Sequence, residues 1–198
     1  MIAREGRPTL DPEFILAAYR SGYFPMADSR TGAIAWYSPD PRAIIPIPTF
    51  KISRSFRRVV RNREFEIRVN TSFQNVVREC ARRADTWISN EIINAYARLH
   101  KQGHAHSVES WQRDELTGGL YGVAIGGAFF GESMFSHVSN GSKAALVYLV
   151  ELLKLRGFRL LDSQFMNDHI KQFGAIELPR QEYLRRLSDA LAVETRFP

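Results

Sequence analysis

The fold is decided by two neighbouring stretches, TGGLYGVAIGGAFFGESMF at residues 117–135 and SKAALVYLVELLKLRGFRLL at residues 142–161. In the first, two apolar runs flank Gly126-Gly127, a dipeptide that suits a tight hairpin turn, so the pattern predicts two antiparallel strands. In the second, apolar residues recur at helical spacing up to Gly157, and residues 158–161, three of which are apolar, then indicate a buried strand. The sheet is therefore predicted to be partly antiparallel.

The flanking sequence extends this pattern on both sides. The resulting order of strands and helices resembles the N-acetyltransferase-like (GNAT) fold, in which an activated acyl group meets an amine. The resemblance implies an α+β protein with a mixed sheet flanked by helices, and it suggests acyl transfer, although a fold alone does not fix a function. The flanking elements are a strand at 65–69, helices that begin after Ser72 and Ser89, a strand at 107–112, a short helix after Asn167, a strand near Ile176 and a final amphipathic helix.

The beginning of the chain has a different character. Asp11 as N-cap and Pro12 at the first helical position predict a helix that stops at Gly22. Five prolines between residues 23 and 48 then forbid long regular elements. We therefore predict a small, reduced N-terminal unit at residues 1–43 and a GNAT-like catalytic domain at residues 44–198.

The composition is that of a globular protein. Of the 198 residues, 44% are hydrophobic, which is enough to bury a core. The sequence has no apolar run near the roughly 20 residues that a membrane helix needs, so we expect a cytoplasmic protein without membrane contact. The single cysteine, Cys80, lies on the apolar face of a predicted helix, which favours a core position over a reactive thiol.

A basic helix face is the clearest charge pattern. The chain has 27 Lys+Arg against 21 Asp+Glu, and Arg54, Arg57, Arg58 and Arg61 follow the i, i+3, i+4, i+7 spacing of one helix face. No acidic residue interrupts residues 51–63. Like-charge neighbours at this spacing cost a few tenths of a kcal/mol, which a phosphate backbone would reverse. The pattern predicts an anionic partner, with a solvated helix face as the alternative.

Coenzyme A and metal signatures are missing. Acyl-CoA users of the GNAT fold carry an Arg/Gln-x-x-Gly-x-Gly/Ala turn where the central helix begins, and this chain reads SHVSNGSK there, at residues 136–143. His104 and His106 form an H-x-H pair, but no third ligand with suitable spacing accompanies them. We therefore expect neither a cofactor nor a metal.

Polar residues gather where the strand at 158–161 ends. Asp162 and Gln164 follow it directly and Asn167 comes soon after, at the edge where mixed sheets expose ligand sites. Glu132 interrupts an apolar strand, so it needs an outward face or a partner. Both carboxylates are open to two interpretations: Asp162 is a catalytic group or a turn or helix-cap residue, and Glu132 is a catalytic group or an outward-facing or paired strand residue.

Seven short strings occur in order along the chain: GYFP at 22–25, WYSPDPR at 36–42, TWI at 86–88, GHAHS at 103–107, GLYGV at 119–123, GESMF at 131–135 and DSQFMNDH at 162–169. This ordered set resembles the signature of the leucyl/phenylalanyl-tRNA–protein transferases. Each string is weak alone, but seven in order, several with Trp or paired Pro, are hard to obtain by chance. Two positions depart from the family: Met26 stands where a Trp is frequent, and Trp36-Tyr37 stands where a Trp-Trp pair is frequent.

The resemblance implies a reaction and its residues. The family moves Leu or Phe, and as a further donor Met, from aminoacyl-tRNA to the α-amine of a protein that begins with Arg or Lys, which marks that protein for degradation. By resemblance, Asp162 and Gln164 form a relay that accepts the proton of the amine, while Glu132 and Asn167 help to place the reacting groups. An Asp162→Asn change is then expected to slow transfer and to leave folding nearly unchanged.

Motif position also implies binding residues. Trp87 is expected to pack against the terminal adenosine of the tRNA, through a ring face that tolerates any base. The transferred side chain is expected in an apolar pocket, where unbranched Met134 suits both Leu and Phe, and ordinary core packing is the alternative. The arginine face is expected to contact tRNA, and the chain to act as a monomer. The pocket residues are Leu120, Phe129, Met134, Leu146, Leu149 and Leu161.

Two other functions stay open on the sequence alone. An acyl-CoA-dependent N-acetyltransferase on the same fold would bind acetyl-CoA despite the missing glycine turn. A non-catalytic RNA-binding module would use the arginine face, and its RNA binding would survive the loss of Asp162.

Overall fold

The computed structural model describes residues 10–198, so the first nine residues of the predicted N-terminal unit lie outside it. The described chain alternates helices with short and long strands. In chain order the elements are α1 (Pro12–Arg20), β1 (Phe24–Ala27), β2 (Ile34–Tyr37), β3 (Arg42–Ile44), α2 (Arg54–Arg61), β4 (Glu66–Val69), α3 (Phe73–Ala81), α4 (Asn90–Lys101), β5 (Ala105–Gln112), β6 (Glu115–Ile125), β7 (Ala128–Ser136), α5 (Gly141–Leu155), β8 (Leu160–Gln164), α6 (Asp168–Lys171), β9 (Ile176–Leu178) and α7 (Arg180–Leu191).

A mixed seven-stranded sheet organises these elements. Its strand order is β4-β5-β6-β7-β8-β3-β9. Strands β7 and β8 run parallel, and the other neighbours are antiparallel. Gly126-Gly127 connect β6 to β7, with Ile125 paired to Ala128 and Gly126 at a positive φ of 54°. The predicted hairpin and the predicted α+β class, a mixed sheet flanked by helices, are confirmed.

The proline-rich stretch holds short strands that the sequence pattern did not predict. Strands β1 and β2 form a small antiparallel sheet of their own. Strand β3 enters the large sheet between β8 and β9, where Ala43 pairs with Gln164 on one side and Glu177 on the other. This strand spans the predicted boundary at residues 43 and 44, and the division into two units stays a prediction.

Helices cover the large sheet on both faces. Leu146 and Leu149 of α5 pack into a core cluster on one face. On the other face α1, α3 and α4 contribute Tyr19, Cys80 and Tyr96 to a second cluster. Cys80 is fully buried, and burial raises the pKa of its thiol to about 12, so its predicted core position is confirmed. Within residues 10–198, no helix combines the length and apolarity that crossing a membrane requires.

The centre of the sheet opens at one end. The parallel pairing of β7 with β8 runs only from Ala128 to Phe130, whose partner is Asp162. One residue later the pairing of β7 with β6 shifts, because Gly131 and Ser133 face consecutive residues of β6 and leave Glu132 as the extra residue of a bulge. The ends of β7 and β8 therefore part and present Glu132 and Asp162 to the space between them.

Candidate functional site

A cavity of about 850 Å³ occupies the opening between β7 and β8. Glu132 and Met134 of β7 line it, as do Asp162 and Gln164 of β8. Asn167, at the N-terminus of α6, lines it as well. The structure thus brings all four predicted catalytic residues, Asp162, Gln164, Glu132 and Asn167, to one cavity, where apolar and polar groups lie side by side.

Asp162 is completely buried and accepts four hydrogen bonds. Arg42 binds it in bidentate fashion, with 2.9 Å from Nε to Oδ1 and 2.7 Å from Nη2 to Oδ2. The hydroxyl of Tyr183 donates to Oδ2 at 2.7 Å, and the backbone N–H of Gln164 donates to Oδ1 at 2.9 Å. These bonds occupy the lone pairs that a carboxylate offers, so Asp162 has no free position for a further proton donor.

Arg42 is the buried counter-charge of this site. Its guanidinium lies between the rings of Phe24 and Tyr183, at 4.7 Å and 4.6 Å from their centroids, and Nη1 donates to the carbonyl of Gly22 at 3.1 Å. Burial alone would lower the pKa of Arg42, but the Asp162 carboxylate outweighs burial and the pKa is raised. Arg42 therefore stays charged, and it ties the segment after α1 to the centre of the sheet.

Glu132 has hydroxyl donors in place of a cation. Tyr19 of α1 donates to Oε1 at 2.6 Å, and Tyr96 of α4 donates to Oε2 at 3.1 Å. Burial raises the pKa of Glu132 to about 7; the two tyrosine hydrogen bonds oppose this rise and the negative charge of Asp162 adds to it. A carboxyl group with a pKa near 7 exchanges protons readily at neutral pH.

Gln164 connects the two carboxylates. Its backbone N–H binds Asp162, and its side-chain Nε2 donates to Oε1 of Glu132 at 3.1 Å. Its backbone lies in the left-handed region at φ +58°, an uncommon conformation for a residue other than glycine, which costs energy and is frequent at functional sites. Asp162, Gln164 and Glu132 therefore form one hydrogen-bonded unit.

Asn167 stands apart from that unit. It is exposed, and its side-chain Oδ1 accepts the backbone N–H of Ile170 at 3.0 Å as the N-cap of α6. Asn167 therefore caps α6, and its place in the site rests on its position in the cavity wall.

The apolar part of the cavity matches the predicted pocket at all but one position. Met134 is half-buried, whereas the four leucines are 1–3% exposed and belong to the core as well as to the wall. Phe129 is the exception, because it is fully buried and packs against Phe197 in the core beneath the described cavity. The predicted residues that do line the cavity are Trp87, Leu120, Met134, Leu146, Leu149 and Leu161.

Comparison with known proteins decides the family. The profile described as leucyl/phenylalanyl-tRNA protein transferase matches residues 44–188, and the profile of the N-terminal domain of the same family matches residues 9–40. The chain belongs to the leucyl/phenylalanyl-tRNA protein transferase family. The resemblance carried by the seven strings is therefore confirmed, and with it the prediction that the chain is an enzyme of the aminoacyltransferase class.

Individual members of this family are similar over nearly the whole chain. The leucyl/phenylalanyl-tRNA–protein transferase of Gloeobacter violaceus is 53% identical over 96% of this chain and 98% of its own length. That of Chlorobaculum parvum is also 53% identical, over 93% and 97%. A solved structure described as L-PGS from Bacillus licheniformis shares 14% identity at a TM-score of 0.41, over 80% of this chain, which spans 55% of that structure.

The arginine helix lies outside the cavity of this family member. Arg54, Arg57, Arg58 and Arg61 are all exposed on α2, and the first turn of α2 has no acidic residue. The opposite side of α2 packs through Phe56 against α5. The predicted common face of four arginines is therefore present, whereas the anionic partner stays a prediction.

Four residues of the site were missed by the sequence analysis of this transferase family member. Arg42, Tyr19, Tyr96 and Tyr183 all bond to the two carboxylates. Arg42 ends the string WYSPDPR, so its motif position was the available signal. The tyrosines occupy apolar faces of α1, α4 and α7, where their residue type indicates only core packing.

Proposed function

We propose that this chain transfers Leu or Phe from aminoacyl-tRNA to the N-terminal α-amine of an acceptor protein. The observation that carries the proposal is the cavity between β7 and β8, where an apolar wall meets the hydrogen-bonded unit of Asp162, Gln164 and Glu132. Family membership supplies the reaction class, and the cavity offers one region for the side chain and another for the reacting groups.

The chemistry requires little beyond placement and a proton acceptor. The aminoacyl ester is already activated, and an α-amine with a pKa of about 7.7 to 8.0 is partly neutral at physiological pH. Holding the amine and the ester carbonyl in attacking geometry lowers the barrier, and a base that accepts the proton contributes about 10² to 10⁴ in rate. In this proposal the base lies within the hydrogen-bonded unit of Asp162, Gln164 and Glu132, and Asn167 helps to place the substrates.

The donor lies along the apolar wall. The transferred side chain lies against Leu146, Leu149 and Met134, and the flexible thioether of Met134 adjusts to Leu, Phe or Met. Trp87, half-buried at the cavity, packs against the terminal adenosine. The arginines of α2 bind phosphates of the tRNA body, since exposed cations without acidic neighbours favour a polyanion.

The acceptor completes the proposal. Three carboxylates line the cavity, of which Glu79 pairs with Arg82 and Asp162 pairs with Arg42. Glu132 bonds to tyrosine hydroxyls and to no cation among residues 10–198, so it is the carboxylate that favours an acceptor beginning with Arg or Lys. We extend the proposal to marking such proteins for degradation, to a cytoplasmic monomer, and to the GNAT-like fold. The parallel pair β7 and β8, which parts at the site and is joined through α5, supports the GNAT-like assignment.

The direct experiment follows radiolabelled leucine from Leu-tRNA to a protein that begins with Arg. The matched control is the same acceptor with its α-amine acetylated, which keeps the sequence and removes the nucleophile. We expect label on the first acceptor and background on the second. Acetyl transfer from acetyl-CoA, or equal labelling of both acceptors, would contradict the proposal.

A further inference from the structure

The proton of the attacking amine needs a destination, and Asp162 is poorly suited to be it. Its carboxylate already accepts four hydrogen bonds, two of them from the Arg42 guanidinium. A proton on Asp162 would break one of these contacts and leave Arg42, 1% exposed, without its counter-charge. An uncompensated buried charge is costly, so the ion pair resists protonation.

Glu132, Tyr19 and Tyr96 are arranged differently. Three contacts join them: Tyr19 to Oε1, Tyr96 to Oε2, and the two tyrosine hydroxyls to each other. With Glu132 ionised, the two hydroxyl protons fill only two of these three contacts. One further proton on Oε2 would donate to Tyr96, Tyr96 would donate to Tyr19, and Tyr19 would donate to Oε1. The ring can therefore take up one further proton without losing any of its three contacts.

From this geometry we infer that Glu132 receives the proton of the attacking amine, and that Tyr19 and Tyr96 are positioning residues that hold Glu132 for that task. The inference rests on the proposed function and deepens it. Asp162 then acts as a fixed anion that orients Gln164, whose Nε2 donates to Oε1 of Glu132.

The step balances with no other reactant. The neutral amine attacks the ester carbonyl, the new N–C bond forms, and one N–H proton passes to Glu132. The C–O bond to the ribose breaks, and its electron pair stays on the ribose oxygen. The proton then moves from Glu132 to that oxygen, which restores the carboxylate.

The wider surroundings of Glu132 are consistent with this role. The groups that face it are Tyr19 on α1, Tyr96 on α4, Tyr121 on β6, Asp162 on β8 and Arg42 on β3. Burial is the largest influence and raises the pKa of Glu132 to about 7, and the hydrogen bonds from Tyr19 and Tyr96 hold it below the value that burial alone would give. Tyr121 contributes no hydrogen bond, because its buried hydroxyl has no partner among the described residues.

The test compares four Tyr→Phe variants by the pH dependence of kcat. Tyr19→Phe and Tyr96→Phe each remove a hydrogen-bond donor to Glu132. Tyr121→Phe removes a buried hydroxyl that does not bond to Glu132, and Tyr183→Phe removes a donor to Asp162. One acceptor serves all variants, so the titration of its amine is common to every profile. Glu132→Gln, an isosteric change without a base, completes the set.

In the pH profile of kcat, we expect the acidic limb to shift to higher pH by about one unit in Tyr19→Phe and in Tyr96→Phe. The reason is that each lost hydrogen-bond donor destabilises the ionised carboxylate of Glu132. The limb should stay in place in Tyr121→Phe and Tyr183→Phe. Glu132→Gln should lose about 100-fold or more in kcat while it still binds aminoacyl-tRNA. The kcat of Glu132→Gln also tests the role of Glu132 in proton transfer if a tyrosine variant fails to fold.

Two results would overturn the inference. A limb that moves in Tyr183→Phe alone would assign the proton to Asp162, and a Glu132→Gln variant with kcat near that of the wild type would remove Glu132 from proton transfer. A wild-type chain that transfers no amino acid at all would instead contradict the proposed function, so the two failures can be told apart.

Discussion

Replacing Asp162 with Asn should destabilise the protein strongly, contrary to the expectation from the sequence. Asn has the same shape as Asp, and its side-chain oxygen can still accept the hydrogen bond from Nε of Arg42. In the wild type, Nη2 of Arg42 donates to Oδ2 of Asp162 at 2.7 Å. In the variant an amide nitrogen, which is itself a donor, takes the place of Oδ2. The Arg42 side chain is 1% exposed, so water cannot replace the lost charge. Breaking a buried pair on one side costs about 3 to 5 kcal/mol.

This loss of stability can be measured as a fall in the melting temperature. For a chain of this size, 1 kcal/mol shifts the midpoint by about 2 to 4 °C, so Asp162→Asn should melt about 6 to 20 °C below the wild type. The assay is thermal unfolding followed by circular dichroism. Asp189→Asn is the matched control, because it removes the same charge from an ion pair with Arg185 that is exposed on both sides.

A second variant isolates the uncompensated charge. On an Arg42→Met background, Asp162→Asn no longer leaves a buried cation, so its effect should be much smaller than on the wild type. If Asp162→Asn has the same melting temperature as the Asp189→Asn control, the buried ion pair does not hold the site together and the reasoning fails.

The remaining predictions concern tRNA binding, the donor pocket and pH. Arg57→Ala with Arg61→Ala should raise KM for aminoacyl-tRNA, flatten its log–log salt dependence by about 1.4 to 1.8 in total, and leave kcat largely intact. Met134→Ala should weaken the use of Leu-tRNA without loss of the circular dichroism signal, whereas loss of that signal would favour a pure core role. Because the pKa of Glu132 rises from 4.5 to about 7 on folding, its stabilising contribution is present below pH 4.5 and disappears as the pH rises through 7. Urea unfolding should show the advantage of the wild type over Glu132→Gln shrinking between pH 5 and pH 8.

The arginine prediction has a control within the same chain. Arg185→Ala with Arg186→Ala removes one exposed and one half-buried arginine from α7, where Glu182 already pairs with both. This control should leave the salt dependence of KM unchanged. The same slope in both double variants would show that α2 is a solvated face and that the tRNA binds elsewhere.

The sequence predicted those helices, strands and turns that are specified by residues close together along the chain. Gly126-Gly127 between two apolar runs gave the β6–β7 hairpin, and caps such as Ser89 placed the start of α4. The arginines of α2 lie on one exposed face because their helical spacing requires it once the other face packs through Phe56. In these cases the decisive contacts are a few residues apart.

The missed features depend on contacts between distant residues. Arg42 and Asp162 are 120 residues apart, and an arginine among prolines reads as surface, so neither the buried ion pair nor strand β3 was predicted. Tyr19 and Glu132 are 113 residues apart, and only the packing of α1 and α4 on the sheet brings the hydroxyls to that carboxylate. Motif strings found Asp162, Gln164 and Glu132 as candidates, but the assignment of each role needed their hydrogen bonds.

One measurement tests the central claim most directly: the transfer of radiolabelled leucine from Leu-tRNA to a protein that begins with Arg, by the wild type and by Glu132→Gln under single-turnover conditions. The account predicts label at the α-amine of the acceptor with the wild type, and a rate at least about 100-fold lower with the variant at equal tRNA binding. Labelling that does not depend on a free α-amine, or that Glu132→Gln performs at the wild-type rate, would contradict it.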